Sequence, residues 1–216
     1  MKKFLTAGLA VLFACTHVFA QDALTHDPEA KKVLDKVSAH TKTMKTISIV
    51  FKYKVENKQD GVSESFDGYA FMKGNKYKII IPGNEIISDG KTVWSVMNEA
   101  EEVTISEPGP DDDSLFNPAK LFTIYESGFK YKYLGEENKQ FVIDLFPEKA
   151  NEKNFSRVRL HIDKVKSEIT SIKTFRKDGY DYTIDVSNFM GNNDLPESLF
   201  SFKKESYSNY EIVDMR

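Results

Sequence analysis

Residues 85–97 read Glu-Ile-Ile-Ser-Asp-Gly-Lys-Thr-Val-Trp-Ser-Val-Met. Two short runs rich in Ile, Val and Trp flank Asp89-Gly90, a dipeptide whose backbone freedom suits the tight turn between antiparallel strands. Glu85–Ser88 and Thr92–Met97 therefore read as a hairpin. The stretch also contains Gly90-Lys91-Thr92, the tail of a phosphate-binding loop. That motif needs a glycine five residues before Gly90, where Glu85 stands, and a helix after it. A strand–turn–strand context meets neither condition, so nucleotide binding is excluded and a β-fold is indicated.

The same rhythm extends outward in both directions. Upstream, Ile47, Ile49, Phe51, Tyr53 and Val55 alternate with Ser48, Lys52 and Lys54, as in a half-buried strand. Further strands are expected over Val62–Lys73, Lys76–Pro82 and Glu102–Ser106. After an interruption they resume over Phe129–Leu134, Gln140–Pro147, Phe155–Asp163, Ser167–Lys177, Tyr180–Phe189 and Leu199–Lys203, with Tyr210–Val213 as a short closing strand. Asp60-Gly61, Pro82-Gly83 and Asp178-Gly179 mark turns. About a dozen strands in one meander, with no linker, give a single domain of mainly β, α+β class.

Two helices break the pattern. Asp27-Pro28-Glu29 is a helix start, with Asp as cap and Pro in the first turn, and Val33, Leu34, Val37 and Met44 follow at helical spacing to about Thr43. The interruption at Glu107–Gly128 opens with a Pro108–Asp113 loop. A second helical stretch is then expected from Asn117-Pro118, with Leu121, Phe122, Ile124 and Tyr125 apolar and Gly128 as its stop. Each helix has to bury its apolar face, and the open face of a curved sheet is the available surface. These apolar residues read either as a packed core or as the lining of an apolar cavity left between the curved sheet and its helical lids. The cavity's candidate lining is Val33, Leu34, Val37, Ile49, Phe51, Phe71, Tyr77, Ile79, Trp94 and Leu115, with Leu121, Phe122 and Ile124 as a plug.

The N-terminus reads as an export signal. Lys2 and Lys3 precede an uncharged run, Phe4–Ala14, and Val18 and Ala20 fit the small-residue positions of a cleavage site before Gln21. Residues 1–20 are thus expected to be removed, leaving 21–216 as one exported domain. Leu12-Phe13-Ala14-Cys15 offers the competing reading of a lipid anchor at Cys15. Cleavage after Ala20 takes away two lysines, so the net charge moves from −3 to −5. An acidic chain with scattered lysines argues against a nucleic-acid partner. Cys15 is the single cysteine, so the cleaved chain has no disulfide and no thiolate chemistry.

Catalytic motifs are likewise missing. His26, His40 and His161 show no zinc-site spacing, Asp111–Asp113 lacks the alternation of a calcium loop, and no G-x-S-x-G elbow occurs. No enzyme, metal or cofactor is expected. A transmembrane barrel is disfavoured by the many strand lysines.

The chain resembles the periplasmic outer-membrane lipoprotein carrier (LolA-like) family. The resemblance runs through Leu34-Asp35-Lys36-Val37-Ser38, Gly68-Tyr69-Ala70-Phe71-Met72-Lys73, the block Ile87–Trp94 and the closing Tyr210–Asp214. It implies an unclosed antiparallel β-barrel with a helical lid and a hydrophobic cavity for the acyl chains of lipoproteins. The implied partners are those lipoproteins, an inner-membrane ATP-driven release transporter and an outer-membrane acceptor, the carrier itself being a monomer. A lipid- or peptide-binding sensor of the same fold is the alternative. Family members often latch the lid through an arginine in a Lys-Arg-Pro stretch. Here the segment is Lys73-Gly74-Asn75-Lys76-Tyr77, which leaves Lys73 or Lys76 as candidate latch. Neither has the planar fork of donors that arginine presents.

Overall fold

The computed structural model describes residues 26–108 and 122–216. The chain begins with α1 (Pro28–Lys42), whose cap is the one expected: Asp27 accepts hydrogen bonds from the Glu29 and Ala30 amides at 2.9 and 3.3 Å. Such a cap contributes about 1 kcal/mol. Its buried side is Ala30, Val33, Leu34, Val37 and Ser38.

Twelve strands form one sheet. In chain order they are β1 (Thr46–Asn57), β2 (Val62–Lys73), β3 (Lys76–Ile81), β4 (Asn84–Ser88), β5 (Val93–Met97), β6 (Glu102–Ser106), β7 (Phe129–Glu137), β8 (Gln140–Pro147), β9 (Phe155–Asp163), β10 (Ile169–Arg176), β11 (Asp181–Gly191) and β12 (Glu211–Asp214). Their spatial order, β12-β6-β5-β4-β3-β2-β1-β11-β10-β9-β8-β7, is that of an unclosed barrel with β12 and β7 at its edges. The expected single meander is in fact two, β1–β6 and β7–β11, joined where β11 returns antiparallel to β1. The expected closing strand is β12, which pairs in parallel with β6.

Directly paired residues share a face of a sheet, so the register sorts every side chain. The face that carries α1 is the inner one. On β1 it takes Ile47, Ile49 and Phe51, opposite Met72, Ala70 and Gly68 of β2. Gly68 is needed there: a Cβ at that position would lie 2.5 Å from Cζ of the buried Phe51.

The outer face of β3–β6 has a core of its own. Cross-strand pairing aligns Phe71, Lys78, Ile87, Trp94 and Ile105 in one outer row and Ile80, Glu85, Val96 and Val103 in the next. Ile87, Val96 and Val103 are buried although α1 lies on the other side of the sheet. Their cover is the C-terminal segment between β11 and β12, where the expected strand at Leu199–Lys203 is instead a 3-10 turn, Glu197–Phe200. The segment crosses β1 through Asn193, whose carbonyl accepts from the Thr46 hydroxyl at 2.6 Å and whose amide donates to Ser48 Oγ at 2.7 Å. Further on, Glu197 binds Lys73 and Lys76 at 2.8 and 2.6 Å. Phe202 stacks between Trp94 and Tyr207, at 5.6 and 5.2 Å between ring centroids. Leu195 and Phe200 are buried in this layer.

Two predictions follow from these contacts. Gly68→Ala should destabilise the fold by about 1–3 kcal/mol through overpacking, and Phe51→Leu in the same chain should recover part of that loss. Urea midpoints of the two single variants and the double variant measure the coupling, and strictly additive losses would contradict the contact. The second concerns Glu197, whose hydrogen bonds from Lys73 and then Lys76 lower its pKa from 4.5 to about 2. A depressed folded-state pKa gives stabilisation that is complete above the unfolded value and is lost as pH falls through the folded one. The emission of Trp94, the only tryptophan, should therefore hold steady down to about pH 4.5 and shift toward pH 2. In Glu197→Gln the shift over this window should be absent.

Candidate functional site

The inner face of the sheet is the candidate site. α1 lies against it and is fixed at both ends. At its start the Asp27 amide donates to the Tyr131 carbonyl at 3.2 Å, and the Asp27 carboxylate accepts from the Tyr133 amide at 3.0 Å. Burial works against that carboxylate, but the amide hydrogen bonds from Tyr133, Ala30 and Glu29 outweigh it and hold its pKa below the usual range. Beyond the last turn, Lys45 donates its amide to Asn192 at 2.8 Å, and Met44 fills the space left open by Gly191. The helix thus runs from β7 to the β1–β11 seam.

Residues 122–126 dock beside it. Phe122 and Tyr125 are buried in the core that α1 shares with the sheet. The Tyr125 hydroxyl donates to Asp35 at 3.0 Å, and Glu126 accepts from Ser38 and Lys42 at 3.3 and 3.1 Å. Of the expected second helix, the described part is a single 3-10 turn, Ile124–Glu126.

Three apolar rows continue across the inner face. The first joins Ile86, Ile79, Ala70, Ile49 and Phe189, from β4 to β11. In the second, Ile81 and Phe51 meet over Gly68, and Phe51 pairs with Val186. The third passes from Phe66 through Tyr53, Ile184, Ile172, Leu160 and Ile143 to Tyr133, seven strands in all. In these rows Ile49, Phe51, Ala70, Ile79, Ile143, Leu160 and Ile172 are buried, whereas Tyr53, Ile81, Ile86, Ile184, Val186 and Phe189 are only partly covered and Phe66 is 37% exposed. The phenols here stay neutral. Burial, reinforced by the stacked Tyr182, pushes Tyr53 up to about 12, and burial with the Asp35 contact does the same for Tyr125. Apart from such tyrosines the three rows hold no ionisable side chain. A surface like this recognises a ligand by apolar area, not by placed polar groups.

The structure brings together Val33, Leu34, Val37, Ile49, Phe51, Tyr77, Ile79 and Phe122 in this core. Four other candidates belong elsewhere. Phe71 and Trp94 have the opposite strand parity to Ala70, Met72 and Ser95, so they point to the outer face, where Trp94 stacks on Phe202. Lys73 and Lys76 share that outer parity and hold Glu197 of the C-terminal segment, in place of the expected lid latch. Leu115 and Leu121 lie outside the described residues, as does the signal segment 1–20; Ile124 begins the 3-10 turn. Ile86, Val186 and Phe189 were missing from the expected lining. On β11 the reason is a bulge: Phe51 pairs with Val186 while Val50 pairs with Asn188. The apolar positions 182, 184 and 186 therefore fall out of phase with Phe189, although all face inward. On the helix side, Val33, Tyr133 and Phe141 floor a shallow depression of about 160 Å³ rimmed by Glu29, Lys32, Lys36 and Glu136.

Comparison with known proteins finds similar chains. An uncharacterized conserved protein from Thermus thermophilus shares the fold with a TM-score of 0.56 and 13% identity, over 86% of this chain and 99% of its own. A putative outer membrane lipoprotein-sorting protein domain from Vibrio parahaemolyticus aligns with a TM-score of 0.44 and 14% identity, over 82% and 99% of the two chains. A LolA superfamily protein from Nitrosomonas europaea gives 0.44 and 12%, over 80% and 97%. No curated protein matches the sequence. The profile of the family described as outer membrane lipoprotein carrier protein LolA matches residues 42–203, well over half of the chain. The chain belongs to that family.

Proposed function

We propose that this protein is a periplasmic carrier that holds the acyl chains of lipoproteins against its inner face and moves them from the inner to the outer membrane. The observation that carries the reading is the partly covered, uncharged set of rows from Ile86 to Phe189 and from Phe66 to Ile184. Burying an acyl chain is worth ~0.8 kcal/mol per CH₂, so a fully enclosed chain would scarcely leave. An inner face already filled in part by Val33, Leu34 and Val37 of α1 and by Phe122 limits that gain, and release stays feasible. In this reading residues 1–20 direct export and are cleaved after Ala20, an ATP-driven inner-membrane transporter loads the carrier, and an outer-membrane acceptor unloads it.

Mass spectrometry of material co-purified from the periplasm tests the cargo. Acylated protein is the expected result, whereas a free lipid or a non-acylated protein partner would favour the sensor alternative. The site is tested by Val186→Asp, with outer-face Tyr69→Asp as control. Uptake of an acylated peptide should fall about tenfold or more in the first, because an unpaired carboxylate is costly in an apolar site, and stay unchanged in the second. Equal uptake by both, at unchanged thermal midpoints, would refute the assignment.

A further inference from the structure

On the outer face of β7–β10, away from both the α1 side and the C-terminal segment, the register builds a basic cluster. Lys132, Asp144, Arg159 and Lys173 are paired in sequence across the four strands. Asp144 is almost fully buried and accepts two hydrogen bonds from Arg159, at 2.7 Å from Nε and 2.9 Å from Nη2. A second guanidinium, Arg157, stands 3.5 Å from the same carboxylate and lies over the Phe175 ring at 4.0 Å from its centroid. Lys130 is exposed one pair along β7. Lys173 is matched by Asp181 at 2.9 Å and Glu56 at 3.8 Å, and Lys132 also helps hold the Asp27 carboxylate ionised. Leaving those two aside, Arg157 and Arg159 face Asp144, Glu137 adds a weaker attraction to Arg159, and Lys130 is exposed on the same face, in a chain whose net charge is −3.

We propose that this outer face is a docking surface for the headgroups of anionic phospholipids. Arg157 is 36% and Arg159 29% exposed, so each guanidinium keeps donors toward solvent while Asp144 fixes its plane. Guanidinium forks match phosphate oxygens, and a pre-ordered fork loses less freedom on meeting one. Among the described residues the cations spread over open strands with no walls around them, which suits a plane of many equivalent anions better than the side chains of an acidic protein. The flanking apolar groups fit the same partner: Leu134, 43% exposed on β7, and the part-exposed Phe146 and Phe175. The proposal goes beyond the carrier reading and does not depend on it, since docking needs no cargo.

Co-sedimentation of the cargo-free protein with vesicles tests it. Vesicles of equal parts phosphatidylglycerol and phosphatidylcholine should bind the protein, pure phosphatidylcholine should not, and added salt should weaken binding through screening. Lys130→Gln with Arg157→Gln should weaken it about fivefold per cation removed, with acyl uptake unchanged. Arg157→Lys, which keeps the charge but not the fork, should retain more binding than Arg157→Gln, and Lys130→Glu, at an exposed position, should weaken it even if the double variant folds poorly. Equal binding to both vesicle types, or binding unaffected by Lys130→Glu, would overturn the proposal. So would loss of vesicle binding to millimolar inorganic phosphate at constant ionic strength, which marks a free-phosphate site, or preference for poly-glutamate, which marks an acidic protein partner.

Discussion

The antiparallel pairing of β1 with β11 is the constraint on which the rest of the structure depends. It joins two independent meanders into one sheet, and its bulge at Val50/Phe51 keeps the faces consistent. Without the extra residue in β11, a one-residue slip would turn Val186, Ile184 and Tyr182 outward while Phe189 stayed in. Ser187 marks the bulge, its hydroxyl donating to the Val50 carbonyl at 3.0 Å. Because of this pairing Phe51 and Tyr53 have apolar neighbours on both sides, and the inner rows run unbroken from β2 to β11.

An unclosed sheet has two faces, and this chain covers them unequally. One face receives α1 and Phe122–Glu126, and Tyr53, Ile81, Ile86, Ile184, Val186 and Phe189 on it stay partly covered. The other receives the C-terminal segment over β3–β6, with aromatic stacking and the Glu197 clamp at its ends. Trp94 stacks on Phe202 of its own chain, whereas in the proposed carrier reading the partly covered Tyr53, Phe66, Val186 and Phe189 are the residues a cargo would meet. The sheet edges are similarly managed. β7 is flanked by His26 and Asp27, and the other edge is the four-residue β12, paired in parallel with β6.

Much of this was legible in the residues. Asp27-Pro28 announced α1, Asp89-Gly90 the hairpin, and Tyr210–Val213 the last strand, because caps, turns and alternation are local signals. Which alternate set faced inward was not legible, since parity depends on pairing partners far along the chain. Phe71 and Trp94 looked like cavity residues for that reason: they are large, apolar and on strands. The second core escaped because Leu195, Phe200 and Phe202 sit in irregular backbone with no period to detect. Lys73 and Lys76 were singled out by analogy with a latch, but the partner that uses them, Glu197, is remote in sequence and shares no motif with them.

The central claim is that acyl chains lie on the inner rows. A fatty-acyl probe with a photoreactive group at its tail, cross-linked to the protein and mapped by peptide mass spectrometry, tests it most directly. The account predicts adducts at Tyr53, Phe66, Ile86, Val186 and Phe189, competed away by unlabelled acylated peptide. Competable adducts at Tyr69, Phe71 or Trp94 instead, on the opposite face, would contradict it.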